Sequence, residues 1–261
     1  MNIPIPGASR AATLALAMAL GACAAPSAPI ARSAAAPAQL APALNPQPNL
    51  ESWAAWWMPR HQAKLAEVAR SKAEHRDIAL VFVGDSITHG WEQGGAAVWN
   101  SHYSRYNALD LGFSGDRTEH VLWRLQQGEV DGLHPKVVVL LIGTNNSGHR
   151  KEDPAATAAG VKRIVEELGA RMPAAKILVL GVFPRADMPG TPVSKIVEDI
   201  DTLLPALADG RRVFYLDINK VWLDADGKVS KALMPDLLHP NEQGYAVWAQ
   251  AMDAQLQQLM R

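Results

Sequence analysis

The chain has 261 residues, of which 48% are hydrophobic, and this is enough for one substantial core. The formal net charge is −1 and no run of lysines and arginines stands out, which argues against nucleic acid as a partner. The single cysteine, Cys23, excludes an internal disulfide.

The first 22 residues have the pattern of an export signal. Arg10 is their only charged side chain, and the apolar run AATLALAMALGA after it is short for a bilayer span. The following LGAC, residues 20–23, resembles the lipobox of bacterial lipoproteins, where cleavage leaves the cysteine as a lipidated N-terminus. Ordinary signal cleavage after Ala24, with loss of Cys23, is the alternative. We favour the lipoprotein signal because the only cysteine lies where a lipobox requires it.

The next segment, residues 23–50, is dominated by alanine, proline and serine and lacks apolar periodicity. This composition predicts a semi-extended tether between a membrane anchor and a folded domain at 51–261. A poorly ordered start to a soluble domain is the alternative. With a signal peptide at 1–22, we expect a lipoprotein of the bacterial cell envelope, or otherwise a periplasmic or secreted protein.

The folded domain opens with SWAAWWMPRHQAKLAEVARSKAEH, which predicts a lead-in helix bent at Pro59. Short apolar runs then alternate with longer amphipathic segments. The predicted strands are Ile78–Val83, Asn107–Leu111, Lys136–Ile142, Lys176–Val182 and Arg212–Ile218. The predicted helices are Thr118–Gln127, Pro154–Ala170, Val193–Ala208 and Pro240–Met260.

Strands that alternate with helices pair in parallel through right-handed crossovers. Four of the five runs are rich in valine, isoleucine and leucine on both faces, as strands between two helical layers are. We therefore predict one α/β domain with three α/β/α layers around a doubly wound parallel sheet.

Polar residues or glycine follow each of the first three strands. In IALVFVGDSITHGW, Asp85 braces a turn that presents Ser86. Gly115 follows the second strand in LGFSGDRT, and Asn145 follows the third in LLIGTNNSG. The carboxyl ends of parallel strands share one edge of the sheet, where ligand sites form. Each of these residues is also common in ordinary turns, so none identifies a site alone.

A nucleophilic serine needs a base and a group that orients the base. Two histidines have an aspartate three residues earlier, in Asp131/His134 and Asp236/His239. The first pair leads into the amino end of the third strand, far from Ser86, and suits turn and capping roles. The second pair lies beyond the last strand, where its loop can cover the carboxyl edge. We therefore predict His239 as the base and Asp236 as its orienting group.

Acyl transfer also needs donors for the developing oxyanion. The backbone N–H groups of Ser86 and Gly115 and the side-chain amide of Asn145 are the candidates. Glycine suits a position where the backbone must approach a substrate closely.

In chain order, GDSIT, GFSGDRT, GTNN and DLLH resemble the four sequence blocks of the GDSL/SGNH hydrolase family. LGFSGDRTEHVLWRLQQGEVDGLHPKVVVLLIGTNN is similar to the platelet-activating-factor acetylhydrolase catalytic-subunit-like branch of that family. The resemblance implies a flavodoxin-like fold with no metal or organic cofactor. It also implies the site roles: Ser86 as nucleophile, Gly115 and Asn145 in the oxyanion hole, and Asp236 and His239 completing the triad. The signal and tether are additions to that pattern, so we do not assign the phospholipid substrate of that branch to this chain.

Several further residues have two interpretations. Ile87 and Leu238 flank triad residues and either wall an acyl pocket or pack in the core. Thr144 either shapes that pocket or caps a helix. Ser114, in GFSGD, lacks the second glycine of a G-x-S-x-G elbow and is not favoured as a nucleophile.

Aromatic and basic residues near the strand ends are also ambiguous. Trp91, Trp99 and Trp222 are either sugar platforms or, more often for such tryptophans, packing residues. Arg117 and Arg185 follow strand ends and could meet an anionic substrate, but we expect them at the surface.

These observations predict an exported serine esterase that cleaves small acyl groups, in particular acetyl, from a small-molecule or glycan ester. A lysophospholipase or related lipid acyl-hydrolase is the alternative within the enzymes. A non-catalytic carbohydrate-binding lipoprotein on a hydrolase scaffold is the alternative from another class, and the intact set of five site residues argues against it.

Overall fold

The structure is a computed structural model that describes residues 41–187 and 191–261. The expected signal peptide, the lipidation site at Cys23 and most of the predicted tether lie outside the described residues. Within the described ranges, no helix is both long and apolar enough to cross a membrane.

Five parallel strands in the described part of the chain form one sheet. They are β1 (Leu80–Gly84), β2 (Leu109–Gly112), β3 (Val137–Leu141), β4 (Lys176–Leu180) and β5 (Val213–Leu216). Their order is β2-β1-β3-β4-β5, with every neighbouring pair parallel. The chain runs from β1 to β2 on one side of β1 and then crosses to β3 on the other side of β1. The strand order therefore reverses between β1 and β3, which flank the topological switch point. The predicted doubly wound, flavodoxin-like fold is confirmed.

Helices cover both faces of the sheet. In the described ranges they are α1 (Trp57–Ala73), α2 (Ser86–His89), α3 (Ala96–His102), α4 (Thr118–Gln126), α5 (Thr144–Arg150), α6 (Pro154–Arg171), α7 (Val193–Leu203) and α8 (Glu242–Met260). Alternate strand residues face opposite layers. Val81 and Val83 pack in one core with α4, α6 and α7, whereas Leu80 and Phe82 pack in a second core with α3 and α8.

One helix start and one predicted bend differ from the sequence analysis. The last helix begins at Glu242 rather than Pro240, because the Asn241 side chain accepts the N–H of Gly244 at 2.9 Å and caps the helix there. Pro59 lies in the first turn of α1, where its missing N–H would have no intrahelical acceptor. The predicted bend therefore has no cause at that position.

The other differences concern short elements. The predicted helix Val193–Ala208 ends at Leu203, and a 3₁₀ turn, Leu204–Leu207, follows it. Pro205 in that turn has no N–H to continue the α-helical bonding. The helices α2, α3 and α5 have four to seven residues, too few to show a helical period in the sequence.

The described end of the predicted tether packs against the domain. Pro42–Leu44 forms a 3₁₀ turn in which Ala43 is buried. The Ala43 N–H donates to Glu152 Oε1 at 3.1 Å, and its carbonyl accepts from Thr118 Oγ1 at 3.0 Å. The folded domain therefore extends at least to Pro42 on its amino-terminal side.

Candidate active site

The turn after β1 presents the predicted nucleophile. A Cβ on Gly84 would lie 2.1 Å from Thr88 Oγ1, so glycine is required where α2 folds back on the strand. Asp85 caps α2, because its Oδ1 accepts the N–H of Ile87 at 3.0 Å. Ser86 is the first residue of α2 and is half-buried at the carboxyl end of β1.

A hydrogen-bonded series joins Ser86 to the predicted base and its orienting group. Ser86 Oγ lies 2.9 Å from His239 Nε2, and His239 Nδ1 lies 2.6 Å from Asp236 Oδ2. An ionised carboxylate only accepts, so Nδ1 carries the ring proton and Nε2 accepts from the Ser86 hydroxyl. The structure thus brings together three residues that the sequence separates by up to 153 positions.

The loop that carries the base is held by its own contacts. Burial opposes ionisation of Asp236, but hydrogen bonds from the backbone and ring of His239 outweigh it and hold the pKa of Asp236 below its ordinary value. Leu237 adopts a left-handed φ of 63°, and its carbonyl accepts the N–H of Ala186 at 3.0 Å. These contacts keep the carboxylate charged and the imidazole directed at Ser86.

The two other predicted oxyanion residues lie beside Ser86. Gly115 has a φ of 76°, a conformation that favours glycine. Asn145 is in the first turn of α5, and its Nδ2 donates to the carbonyl of Asp116 at 3.0 Å. The amide nitrogen has two hydrogens, so one N–H remains for a ligand.

A buried ion cluster supports the loop after β2. Asp116 Oδ1 accepts Trp57 Nε1–H at 2.6 Å, and its Oδ2 accepts Arg124 Nε–H at 2.9 Å. Arg124 also donates to Glu129, and its guanidinium carbon lies 4.0 Å from the centre of the Phe113 ring. Burial raises the pKa of Asp116 to about 7, and Arg124 opposes that rise. The sequence patterns did not reveal this cluster.

The candidate catalytic residues share one open cleft of about 560 Å³. Its lining includes all of the predicted oxyanion residues, the base and one acyl-pocket candidate: Ser86, Gly115, Asn145, His239 and Leu238. A separate cavity of about 360 Å³, lined partly by Asp201 and Asn219, contains none of the predicted site residues. The cleft is therefore the candidate active site.

Leu238 lines the cleft, but the other two acyl-pocket candidates do not. Ile87 is fully buried in the core that includes Phe82. Thr144 is also buried, and its Oγ1 accepts from Arg185 Nη1 at 3.2 Å. Ile87 thus has the core role that was its alternative, and Thr144 holds an arginine.

The prediction that Arg117 and Arg185 lie at the surface is wrong, because both side chains are buried. Arg185 forms two hydrogen bonds with the Asp187 carboxylate, at 2.7 and 2.6 Å. Arg117 donates to Glu119 at 2.8 Å and to Glu51 at 3.2 Å. Carboxylates therefore balance the charges of both guanidinium groups.

The tryptophan at the cleft is one that the sequence did not single out. Trp91 and Trp222 are fully buried, and Trp99 is half-buried against Phe82, so all three are packing residues. Trp53 is 48% exposed and lines the cleft. It lies in the turn before α1, within the stretch that the sequence predicts as the lead-in helix, and no sequence signal distinguishes it from its neighbours.

The alternative serine and histidine candidates lack a complete set of partners. Asp131 accepts from Arg171 at 2.6 Å, and His134 is exposed before the amino end of β3. Ser114 Oγ lies 3.0 Å from His89 Nδ1, but among the described residues no carboxylate is hydrogen-bonded to the His89 ring. Burial lowers the pKa of His89 to about 4, so this ring is neutral near pH 7.

The cleft can perform acyl transfer. It combines a hydroxyl, a histidine positioned to accept its proton, a carboxylate that orients the histidine, and adjacent N–H donors. In the part of the chain that the structure describes, no group of three or more His, Cys, Asp or Glu side chains could hold a metal ion.

Comparison with known proteins assigns the chain to one family. A family model described as the GDSL-like lipase/acylhydrolase family matches residues 82–247. Platelet-activating factor acetylhydrolase IB subunit alpha1 of Homo sapiens is 34% identical over 204 residues, covering 78% of this chain and 84% of that protein. The alpha2 subunit of Rattus norvegicus is 34% identical over 208 residues, covering 78% and 85%.

Solved structures share the fold. A GDSL-like lipase from Bacteroides thetaiotaomicron matches with a TM-score of 0.60 and 18% identity, covering 74% of this chain and 98% of that chain. A carbohydrate acetylesterase from Sinorhizobium meliloti matches with a TM-score of 0.54 and 19% identity, covering 69% and 98%. At these identities the likeness shows the fold alone.

The buried carboxyl beside the nucleophile predicts a pH-dependent stability. Burial raises the pKa of Asp85 from 3.8 to about 6, so the unfolded chain releases this proton first as pH rises. Between pH 4 and pH 7 the wild type should therefore lose roughly 2 kcal/mol relative to Asp85→Asn, which keeps the cap but not the charge. Urea unfolding of both proteins at the two pH values measures this difference.

Asp226→Asn is the matched control, because it removes an exposed carboxylate instead of a buried one. A stability difference between wild type and Asp85→Asn that does not change with pH would contradict the assignment.

Proposed function

Because the chain belongs to the GDSL-like lipase/acylhydrolase family, we propose that it is a serine esterase that removes acetyl or similarly short acyl groups from hydroxyls of a glycan. The family membership makes the chain a carboxylic ester hydrolase. The observation that carries the proposed mechanism is the hydrogen-bonded series of Ser86, His239 and Asp236 in the cleft.

In the first half of the proposed reaction, Ser86 Oγ attacks the ester carbonyl carbon while His239 Nε2 takes the hydroxyl proton. The bond to the leaving alcohol then breaks, and His239 donates that proton to the alcohol oxygen. The acyl group remains on Ser86. In the second half, His239 takes a proton from water, water oxygen attacks the acyl carbon, and the carboxylic acid leaves as the proton returns to Ser86.

Charge stabilisation divides between two sides of the cleft. The backbone N–H groups of Ser86 and Gly115 and the remaining amide N–H of Asn145 stabilise the negative charge on the carbonyl oxygen. Asp236 stabilises the imidazolium form of His239, and its lowered pKa keeps it ionised wherever a histidine base is neutral.

A short acyl group suits the cleft. Leu238 is the one aliphatic side chain among the described residues that line it, so aliphatic contacts to an acyl chain come from a single residue. The relatives that are 34% identical are named acetylhydrolases, which supports acetyl. A lysophospholipase or related lipid acyl-hydrolase is the second candidate, favoured by the word lipase in the family description.

We also propose that the protein is exported and anchored to a membrane by lipid on Cys23. The support comes from the apolar run and the LGAC sequence at residues 20–23, which lie outside the described residues. Each buried CH₂ contributes about 0.8 kcal/mol and one acyl chain binds only marginally, so a firm anchor needs more than one chain.

Ser86→Ala should lower hydrolysis of 4-nitrophenyl acetate by about 10⁴-fold or more and abolish labelling by a fluorophosphonate, because the nucleophile is gone. Ser114→Ala is the matched control, since Ser114 also lines the cleft beside a histidine, and it should still be labelled. Labelling is read by intact mass. Full labelling of Ser86→Ala would move the nucleophile to another serine, whereas a wild type that is neither labelled nor active would indicate the non-catalytic binding protein.

His239→Ala should be nearly as damaging as Ser86→Ala, because the two residues act as a unit. His134→Ala, which changes the other Asp-x-x-His pair, should keep kcat/KM for 4-nitrophenyl acetate within about twofold of wild type, as surface substitutions far from a site do. The opposite result would move the base to His134.

Cys23→Ser should release the protein from the membrane fraction, or stall its processing, without changing kcat on a soluble ester. Fractionation of cells and the intact mass of the mature N-terminus measure this. An unmodified mature chain that begins at Ala25 and is soluble would instead indicate ordinary signal cleavage.

A further inference from the structure

Trp53 differs from the other tryptophans of the described chain in its exposure. Its side chain is 48% exposed, whereas the remaining seven are buried or half-buried. A large indole surface in water is unfavourable, and an exposed aromatic side chain in a cleft is a common contact for ligands. The exposed part of the Trp53 ring thus presents apolar surface to the solvent.

This indole lies against the candidate oxyanion hole. A Cβ on Gly115 would be 2.1 Å from Trp53 Cη2 and 2.9 Å from its Cζ3, so the edge of the six-membered ring is packed on Gly115. Trp53 also lines the cleft that contains Ser86. A group bound to Trp53 is therefore within reach of an ester at the nucleophile.

The segment before α1 fixes Trp53 in this position. Glu51, two residues before Trp53, accepts from Arg117 at 3.2 Å, and the following Ala54 is buried, with its N–H donating to the Glu51 carbonyl at 2.8 Å. Because residues on both sides of Trp53 are held, the indole is presented by an ordered turn. A preorganised aromatic group loses little entropy when it binds a ligand.

His149 adds a directed hydrogen-bond donor beside the indole. The two ring centroids are 6.1 Å apart, and Arg117 Nη1 lies 3.3 Å from His149 Nδ1. Arginine only donates, so Nδ1 accepts and Nε2 carries the proton of the neutral ring. Partial desolvation, and then Arg117, lower the pKa of His149, which keeps the ring neutral. No acceptor among the described residues contacts Nε2.

The charges around the cleft favour a neutral alcohol. Arg185 is paired with Asp187, and Arg117 is paired with Glu119 and Glu51, so neither guanidinium is free for a phosphate. An acetyl group would fill only a small part of about 560 Å³, which leaves room for a ring. Sugar rings have apolar C–H faces that pack on indoles and hydroxyls that accept hydrogen bonds.

We propose that Trp53 and His149 form the subsite for the pyranose ring that carries the ester, with a C–H face of the ring on the indole and a ring hydroxyl accepting from His149 Nε2–H. This inference rests on the proposed esterase function and names its leaving alcohol.

The test compares two acetyl esters in wild type and Trp53→Ala. Mono-O-acetylated methyl β-xylopyranoside has a pyranose ring, and 1-acetylglycerol has an acyclic alcohol. Trp53→Ala should raise KM for the xyloside by about tenfold, the size of one aromatic contact, with kcat little changed, and should keep kcat/KM for acetylglycerol within about twofold. His149→Ala should raise KM for the xyloside alone.

Three controls separate this role from others. Leu50→Ala removes a 79% exposed side chain of the same segment that does not line the cleft, and it should leave both substrates unaffected. Trp53→Tyr should recover most of the affinity for the xyloside, whereas Trp53→Leu, which keeps an apolar contact to Gly115, should not. Full recovery in Trp53→Leu would overturn the proposal.

An equal loss of kcat on both esters in Trp53→Ala would show that the indole only braces Gly115, and this also overturns the proposal. With a lysophospholipid as a third substrate, a loss in Trp53→Ala confined to that ester would assign the surface to a lipid and would overturn the proposal. If wild type hydrolyses neither ester, the proposed function itself fails. If wild type cleaves both esters and Trp53→Ala changes neither, the proposed function stands and only the sugar subsite is overturned.

Discussion

The buried ion pair between Asp116 and Arg124 is the contact on which the geometry of the cleft depends. Arg124 on α4 and Trp57 on α1 hold the Asp116 carboxylate, and the carbonyl of the same residue holds Asn145 on α5. Gly115 is the preceding residue, so one aspartate connects two oxyanion candidates to three helices. Loss of one partner from a buried pair typically costs about 3–5 kcal/mol, because the other charge remains desolvated. The loop after β2, which carries Gly115 and Asp116, is therefore held in one position as long as the ion pair is intact.

The parallel sheet explains why much of the site could be predicted. Ser86, Gly115 and Asn145 follow three strands, and a parallel sheet brings the ends of those strands to one edge whatever the loops contain. His239 and Asp236 could be chosen over a second pair by the same topology, because only their loop follows the carboxyl end of a strand. These residues depend on strand order and on local turns, both of which leave patterns in the sequence.

The remaining features depend on contacts between distant segments, which leave no local pattern. In the sequence, Arg124 looks like any arginine of an amphipathic helix. Only the packed structure shows that its side chain faces Asp116. Ile87 is adjacent to Ser86, but successive residues of a helix point about 100° apart, and its side chain enters the core. Trp53 is at the cleft because the chain turns just before α1, whereas the sequence predicted a lead-in helix that already includes this residue.

The clustering of the buried tryptophans has an optical consequence. The Trp91 ring centroid lies 4.8 Å from that of Trp248 and 5.8 Å from that of Trp99, distances at which excitation passes between indoles before they emit. These apolar surroundings shift the emission of the cluster to the blue. Trp53, in contact with water, emits further to the red and is open to iodide quenching. Iodide should therefore quench the red edge of the emission, where Trp53 contributes, before the blue edge, which comes from the buried cluster.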